Sequence, residues 1–242
     1  MPVARASAGE AIAEIERLVT EEPPVLALYV NAHTLNLAVK DIRYRALLQH
    51  ASVVLNDGIG VSIAARLGGS SFPENLNGSD FNPVILELAA RRGWRVFFLG
   101  AAPGVADEAA RRLAERVPGL QTAGTRDGFF PRAEDASVAA AIRASGADVV
   151  LVAMGNPLQE TWLGANLART GARLGVGVGA FFDFTAGTAK RAPTWMNRAG
   201  IEWVWRLALE PGRLWKRYVV GNPLFLLRVV HSRLRKGSRT ST

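Results

Sequence analysis

The stretch Ser52-Val53-Val54-Leu55-Asn56-Asp57-Gly58-Ile59-Gly60-Val61 decides the fold of this 242-residue chain. Its apolar run suits a buried strand, and Asn-Asp-Gly followed by a new apolar period predicts that the strand turns into a helix. Asp57 is therefore expected at the carboxyl end of a strand, where open parallel α/β sheets bind their ligands. The alternative role for Asp57 is to cap the helix that begins near Ile59.

The same order, an apolar run and then a polar turn, recurs on both sides of this stretch. Helical periods of apolar residues separate the runs, and each run has the length of a buried strand. Strands are predicted at Val25–Val30, 52–57, Arg95–Gly100, 120–124, 147–153 and 173–178. Six strands with interposed helices predict an α/β fold: a Rossmann-like, mostly parallel sheet with helices on both faces.

The connections between the strands differ in composition. After the first strand, one helix is predicted to open at 31–34, and its apolar residues are Leu35, Val39, Ile42 and Ala46. Residues 68–77 are rich in Gly, Ser and Asn, which is typical of a mobile surface loop. Residues 125–130 form a loop that mixes charges with two aromatic side chains.

The positive charge of the chain lies at its carboxyl end. Residues 191–242 hold eleven Lys or Arg and two acids, whereas residues 1–190 hold eighteen bases and nineteen acids. The composition changes near Lys190-Arg191-Ala192-Pro193, so we expect an α/β domain at 1–190 and a C-terminal appendage at 191–242. Such an asymmetry indicates that the appendage contacts a polyanionic surface, either nucleic acid or anionic lipid.

The appendage is also rich in tryptophan, with four of the six in the chain. Trp and Tyr interleaved with Arg suit a membrane interface, where the rings lie at the depth of the lipid headgroups. The most apolar run, 219–230, is interrupted by Gly221-Asn222-Pro223 and Arg228. It is too short to span a bilayer, which needs roughly 20 apolar residues. A helical appendage that lies on the membrane is therefore the better interpretation.

Several chemistries are excluded or disfavoured by composition. The chain has no cysteine, which excludes disulfides and thiolate nucleophiles. It contains neither a dinucleotide-binding glycine fingerprint nor a P-loop, and it lacks a Gly-x-Ser-x-Gly elbow. The three histidines are scattered and no Asp-x-Asp element occurs, so no metal site is expected. Residues 1–22 lack the order of a secretory signal, which favours a cytoplasmic protein.

Polar residues remain at the predicted ends of the strands. A parallel sheet brings these ends to one edge, which predicts one carboxylate with amide neighbours. The candidates are Asn31, Thr34, Asp57, Asn156, Gln159 and Asp183.

These residues belong to motifs that resemble the bacterial WecG/TagA/CpsF glycosyltransferase family. The resemblance runs from about Val25 to Arg217, with the motifs in the same order and at similar spacing. The motifs are Asn31-Ala32-His33-Thr34, Asn56-Asp57-Gly58-Ile59-Gly60-Val61, Phe97-Phe98-Leu99-Gly100, Pro103-Gly104-Val105-Ala106, Gly155-Asn156-Pro157-Leu158-Gln159-Glu160, Gly177-Val178-Gly179-Ala180-Phe181-Phe182-Asp183, Lys190-Arg191-Ala192-Pro193 and Gly200-Ile201-Glu202-Trp203.

The resemblance implies an inverting transfer of a sugar from a UDP-sugar to a polyprenyl-pyrophosphate-linked acceptor, in surface polysaccharide or teichoic acid biosynthesis. Asp57 matches the proposed general base of the family, and inversion needs one such base to take the proton of the acceptor hydroxyl. Asn31 and Gln159 match positions near the reaction centre, although helix capping or loop bracing is the alternative role of such amides. Thr34 could contact the donor, but a helix cap is the safer expectation.

The departing diphosphate needs cations or backbone N–H groups, since no metal or other cofactor is expected. Lys190 and Arg191 are candidates, as are the amides of residues 177–180, although both cations could equally be solvated. In the appendage, the resemblance implies that four cations hold UDP or the lipid pyrophosphate: Arg206, Arg213, Lys216 and Arg217. The alternative role for any one of them is an exposed contact with a lipid headgroup.

The resemblance also implies a peripheral protein on the inner face of the cell membrane, and its exposed apolar tail could drive self-association into a homo-oligomer. One residue departs from the family pattern: many relatives carry Arg three residues before Gly78, and this chain has Asn75. Two other functional classes remain open. They are a nucleic-acid-binding protein that uses the basic tail, and a non-catalytic membrane scaffold of the same fold.

Overall fold

The computed structural model describes residues 3–193, 195–196 and 199–237, leaving aside the side chains of Arg213 and of residues 234–237. Its centre is a six-stranded sheet in the order β2-β1-β6-β5-β3-β4. The strands are β1 (Val25–Val30), β2 (Val53–Asn56), β3 (Arg95–Gly100), β4 (Gln121–Arg126), β5 (Val149–Ala153) and β6 (Leu174–Gly177). Every neighbouring pair is parallel, which confirms the predicted α/β class and makes the sheet wholly parallel.

Helices cover both faces of this sheet. The helices before the appendage are α1 (Ala8–Glu21), α2 (Ala32–Lys40), α3 (Ile42–His50), α4 (Ile59–Leu67), α5 (Gly78–Arg92), α6 (Val105–Arg116), α7 (Asp135–Ser145), α8 (Leu158–Thr170) and α9 (Phe181–Ala186), with a 3-10 turn at Arg132–Glu134. Alternate residues of β1 enter opposite apolar clusters: Ala27 and Tyr29 pack with α1, α5, α6 and α9, whereas Leu28 and Val30 pack with α2, α3, α7 and α8. This alternation follows from the period of two in a strand.

The single helix predicted after β1 is wrong, because the chain breaks it at Asp41. The Asp41 backbone is extended, and its carboxylate accepts hydrogen bonds from the N–H groups of Arg43 and Tyr44, which begins α3 anew. Because of this break, the apolar residues predicted for one helix no longer lie along a single continuous face. Val39 and Ile42 are consequently 57% and 66% exposed rather than buried.

The loop at residues 68–77 lies at the surface, as predicted, and is tied to the sheet and to α1 by hydrogen bonds. The Asn56 amide donates to the backbone oxygen of Glu74 at 2.9 Å, and the Gly58 N–H donates to Oδ1 of Asn75 at 2.9 Å. The Glu74 carboxylate accepts from the N–H of Ala8. These contacts fix the loop against the turn that follows β2.

The appendage folds into further helices that pack beside this turn. They are α10 (Glu202–Leu209), α11 (Pro211–Trp215), a π-helical turn at Lys216–Val220 and α12 (Gly221–Gly237). Helix α12 lies against α2 and α4. The buried side chain of Asn36 joins α2 to α12. Its amide donates to the Gly221 oxygen at 2.7 Å, and its Oδ1 accepts from the Arg228 guanidinium.

Across the described residues, no helix combines the length and the apolar composition needed to cross a membrane.

Candidate active site

A cavity of about 1160 Å³ opens at the carboxyl ends of the strands, roofed by the appendage. The topology therefore gathers most of the predicted site residues, as expected for the ligand-binding edge of a parallel sheet. Those that line the cavity are Asn31, Asp57, Asn156, Gln159, Asp183, Arg206 and Arg217. Thr34 and Lys190 are not among the lining residues, and the side chain of Arg213 falls outside the described part of the chain.

Asp57 follows β2 and is half-buried at this cavity. Its carboxylate does not cap α4, because Gly58 occupies the N-cap position and no side-chain cap is formed. Gly58 has a φ of +87°, a conformation that favours glycine. Oδ2 of Asp57 instead accepts a hydrogen bond from Nδ2 of Asn31 at 3.0 Å. The carboxylate is thereby held beside β1, and the capping alternative is wrong.

Asn31 uses both ends of its amide within the protein. Its Oδ1 accepts from the N–H groups of His33 and Thr34, which caps α2, while Nδ2 holds Asp57. The Thr34 side chain is fully buried and completes the capping box by accepting from the Asn31 N–H at 2.8 Å. Asn31 thus positions Asp57, and Thr34 positions Asn31.

Gln159 braces two loops at the floor of the cavity. Its Oε1 accepts from the N–H groups of Gly155 and Gly179, at 3.2 and 3.0 Å, which joins the loop after β5 to the loop after β6. Its Nε2 donates to Oε1 of Glu160 at 3.0 Å, and the Asn156 amide donates to the same oxygen. Oε1 of Gln159 is therefore committed to the fold around the site, and Nε2 donates one of its two N–H groups to Glu160.

Glu160 is a buried carboxylate under these loops. Burial raises its pKa, and the hydrogen bonds from Asn156 and Gln159 oppose that rise without cancelling it. The same burial, together with the charge of Glu160, raises the pKa of the neighbouring Tyr44 hydroxyl. The Tyr44 hydroxyl lies beside the Glu160 carboxylate, and each group shifts the pKa of the other.

Glu160→Gln is expected to stabilise the fold increasingly as the pH rises. The folded protein binds the Glu160 proton more tightly than the unfolded chain does, so the contribution of Glu160 to stability is largest below its ordinary pKa of 4.5 and falls above it. Gln keeps the acceptor Oε1 and carries no charge. Thermal melts between about pH 5 and 8 should therefore show a widening gap in Tm in favour of the variant.

The matched control is Glu115→Gln, which removes an exposed acid paired with Arg111. It should change the Tm little at any pH, because exposed ion pairs contribute little to stability. A Glu160→Gln variant whose Tm follows that of the wild type at every pH would show that Glu160 carries no buried charge.

Tyr29 and Glu202 also line the cavity, although the sequence motifs gave them no role. Tyr29 lies one residue before the end of β1, and its hydroxyl donates to Oδ1 of Asn82 at 2.7 Å; burial and the negative charge of Asp57 raise its pKa. Glu202 begins α10, and burial raises its pKa, while Arg191 and Arg206 act to lower it and Asp57 raises it further. A tyrosine in an otherwise aliphatic strand was the only signal for the first. Glu202 belongs to the motif Gly200-Ile201-Glu202-Trp203, but the motif alone predicted no role for it.

The arginines of the cavity come from the appendage. The Arg206 guanidinium lies 5.5 Å from the centre of the Phe184 ring, which ties α10 to α9. The Arg217 guanidinium lies 5.4 Å from the Tyr218 ring centre, and burial together with the charge of Arg217 lowers the pKa of His33 to about 4. Both guanidiniums line the cavity.

The other predicted anion-binding groups lie elsewhere or are occupied. Lys190 is exposed, and its backbone oxygen accepts from the Trp205 indole at 3.2 Å. Lys216 is exposed and lies 5.7 Å from the Trp215 ring centre. Arg191 pairs with Asp80 in a second cavity of about 540 Å³. Two amides of the 177–180 loop are already used, since Val178 donates to Val152 and Gly179 to Gln159.

The described residues contain no cluster of three His, Asp or Glu side chains that could hold a metal ion. The charged side chains that line the cavity include the Asp57 carboxylate, further acids and the guanidiniums of Arg206 and Arg217. A carboxylate can accept the proton of a hydroxyl, and guanidiniums can bind a diphosphate.

Comparison with known proteins identifies the family of this chain. The family model described as "Glycosyl transferase WecG/TagA/CpsF family" matches residues 1–239. An N-acetylglucosaminyldiphosphoundecaprenol N-acetyl-beta-D-mannosaminyltransferase from Bacillus spizizenii is 37% identical over 180 residues, which cover 74% of this chain and 69% of the relative. A protein of the same name from Bacillus subtilis is 32% identical over 201 residues, covering 83% of this chain and 77% of the relative. Because the match spans nearly the whole chain, this protein belongs to the WecG/TagA/CpsF family and is a glycosyltransferase.

Proposed function

We propose that this glycosyltransferase moves N-acetylmannosamine from UDP-N-acetylmannosamine to N-acetylglucosamine carried on undecaprenyl diphosphate, during assembly of a cell-wall polymer. The names of the two Bacillus relatives support this acceptor and this sugar. The observation that carries the proposal is the Asp57 carboxylate, held by Asn31 at a cavity that also receives Arg206 and Arg217.

In the proposed mechanism the reaction is a single displacement with inversion. Asp57 takes the proton of the acceptor hydroxyl as its oxygen forms a bond to the anomeric carbon. The bond between that carbon and the diphosphate oxygen breaks on the opposite face, and UDP leaves with the electron pair. Arg206 and Arg217 stabilise the charge that develops on the diphosphate, a role that suits planar guanidiniums. No metal is required in this scheme.

Residues 191–242 are proposed to form a membrane-contacting appendage on the domain of residues 1–190. Its helices expose large apolar side chains beside basic ones, including Leu209, Trp215 and Leu227. Such a surface suits the interface of an anionic bilayer, where a lipid-linked acceptor is found. We infer a peripheral position on the inner face of the cell membrane, with self-association through the same apolar residues when no membrane is present.

The experiment that tests the function measures UDP release by the purified full-length protein, without added metal. The donors are UDP-N-acetylmannosamine, UDP-N-acetylglucosamine, UDP-glucose and UDP-galactose, each with and without a polyprenyl-diphosphate-linked N-acetylglucosamine. Release that depends on the acceptor and occurs with UDP-N-acetylmannosamine alone is the expected result. Acceptor-dependent release with another donor would reject the proposed sugar, and no release with any donor would reject the proposed reaction.

Asn75→Ala is expected to lower turnover about 2- to 10-fold while leaving UDP affinity unchanged, since one hydrogen bond is lost. Oδ1 of Asn75 accepts from the Gly58 N–H and so fixes the turn that carries Asp57. Asn75→Arg should lower turnover as well, because arginine offers no acceptor there. Steady-state kinetics would check both variants.

The matched control is Asn75→Asp, which keeps an acceptor oxygen at the same place and should retain more activity than Asn75→Ala. A gain of activity in Asn75→Arg would mean that a cation at this position matters more than the hydrogen bond to the Gly58 N–H.

A further inference from the structure

The break between α2 and α3 leaves an apolar corner on the surface of the α/β domain, formed by residues 39–43 and called here the α2–α3 corner. Val39 near the end of α2 is 57% exposed, and Ile42 at the start of α3 is 66% exposed. Their neighbours Ala38 and Tyr44 are buried in the apolar cluster of this face, which anchors both helices. A valine and an isoleucine held this open forgo the free energy that their burial would supply. The corner is therefore an anchored apolar surface suited to being covered by a partner.

Positive charge surrounds this corner. Lys40, Arg43 and Arg45 are exposed, and residues 39–50 contain a single acid, Asp41. The Asp41 carboxylate is occupied in accepting two backbone N–H groups at the start of α3. Exposed aliphatic side chains flanked by cations are the composition of a surface that rests on an anionic bilayer. The charge of the corner thus favours a lipid surface as its partner.

The appendage places its own exposed apolar residues next to the corner. The Asn36 amide donates to the Gly221 oxygen at 2.7 Å, which fixes the start of α12 against α2. Val220, the residue before Gly221, is 50% exposed, and Val39 lies about one helical turn beyond Asn36 on the same side of α2. The apolar surfaces of the appendage and of the α/β domain therefore meet at this contact.

Helix α12 turns different sides to the protein and to the solvent. Phe225 is buried and Arg228 holds Asn36, whereas Leu227 and Val230 are 67% and 44% exposed. The exposed pair is three residues apart, so both side chains lie on one side of α12. The outer side of α12 thus extends the exposed apolar surface along the appendage.

We propose that the α2–α3 corner is a second membrane-contacting site of this protein. Val39 and Ile42 enter the interface of an anionic bilayer, and the cations beside them bind lipid phosphates. This inference rests on the proposed membrane position of the appendage and extends the contact to the α/β domain. Two contacts on parts of the chain that are joined through Asn36 bind more tightly than either alone. They also fix the orientation of the protein on the bilayer, since a single helix could roll about its axis.

The test measures sedimentation of the full-length protein with vesicles of phosphatidylcholine, with or without phosphatidylglycerol. The double variant Val39→Ser/Ile42→Ser should weaken binding to both kinds of vesicle by about 10-fold or more, because two apolar side chains no longer enter the interface. The double variant Lys40→Ala/Arg43→Ala should weaken binding to the anionic vesicles by about 5-fold for each charge and leave binding to phosphatidylcholine unchanged.

The matched control is Arg116→Ala. It removes an exposed cation from α6, which packs on the opposite face of the sheet, and it should bind both kinds of vesicle as the wild type does. All three variants should keep the wild-type Tm. They should also release UDP at the wild-type rate with a short-chain acceptor that dissolves without vesicles, because residues 39–43 and Arg116 are not among the residues that line the cavity.

The outcomes separate this inference from the function beneath it. Unchanged binding of either double variant to anionic vesicles would overturn the second site, while transfer by the wild type would still support the proposed reaction. A wild-type protein that binds no vesicles would overturn the corner and the membrane position of the appendage together. Weaker vesicle binding by both double variants of a protein that releases no UDP would support the corner and reject the reaction.

Sedimentation velocity in the absence of vesicles tests a second copy of the chain as the partner. Loss of self-association by Val39→Ser/Ile42→Ser, with vesicle binding intact, would show that the corner joins two copies and would overturn the membrane contact.

Discussion

Asp57→Asn is expected to lower turnover by about 10²- to 10⁴-fold, the contribution typical of a general base. Asparagine keeps the shape of the side chain and an oxygen that accepts from Nδ2 of Asn31, so the turn after β2 should be preserved. It cannot take the proton of the acceptor hydroxyl. Steady-state rates with saturating donor and acceptor, together with calorimetric UDP binding, measure the two effects separately.

UDP affinity and Tm should both remain close to the wild-type values in this variant. Asp41→Asn is the matched control, because it makes the same chemical change at a helix cap outside the cavity, where asparagine caps equally well. A rate for Asp57→Asn within a few-fold of the wild type would remove the base assignment and would favour a substrate-assisted or other proton acceptor.

Deletion from Pro193 onward is expected to reduce transfer about a hundredfold or more. The deletion takes Glu202, Arg206 and Arg217 away from the cavity, and each charge-assisted hydrogen bond to a diphosphate is worth about 1.5–3 kcal/mol. It also uncovers the faces of α2 and α4 that α12 covers. Transfer assays and vesicle sedimentation measure the loss of activity and of membrane binding in the same preparation.

A full-length variant separates the loss of these charges from any damage to the body. The double substitution of Arg206 and Arg217 by Ala should reproduce most of the loss in UDP affinity while leaving the melting transition unchanged. Arg233→Ala removes the same kind of charge from α12, near Gly69 and outside the cavity lining, and should retain activity. Full activity in the truncated body, or in the double variant, would show that the appendage contributes nothing to the reaction.

The strands and the position of Asp57 could be predicted because they depend on local patterns. Val25–Val30 and Arg95–Gly100 were predicted with the bounds that the structure shows, since a continuous apolar run between turn residues admits few alternatives. The position of Asp57 at the end of a strand was predicted from the Asn-Asp-Gly sequence that follows such a run. The helix from Asn31 was predicted too long, because a capping aspartate at position 41 can also lie on the exposed face of a continuous helix.

The roles of the amides depended on distant partners. Gln159 could have faced a sugar or braced a loop, and the hydrogen bond from the Gly179 N–H shows that it braces the fold. Asn31 caps its own helix through local contacts, yet its hold on Asp57 crosses 26 residues. Sequence spacing alone could not distinguish these roles, because each amide has both a donor and an acceptor that can satisfy a local turn.

The sequence by itself determined the alternation of strands and helices, the carboxylate at the end of β2 and the separation of the basic appendage from a nearly neutral body. Only the tertiary structure decided that Glu202, Arg206 and Arg217 line one cavity together with Asp57. The physical reason is the range of the interactions. Periodicity and turn chemistry act over a few residues, whereas a site forms where packing brings together side chains that are far apart in the chain.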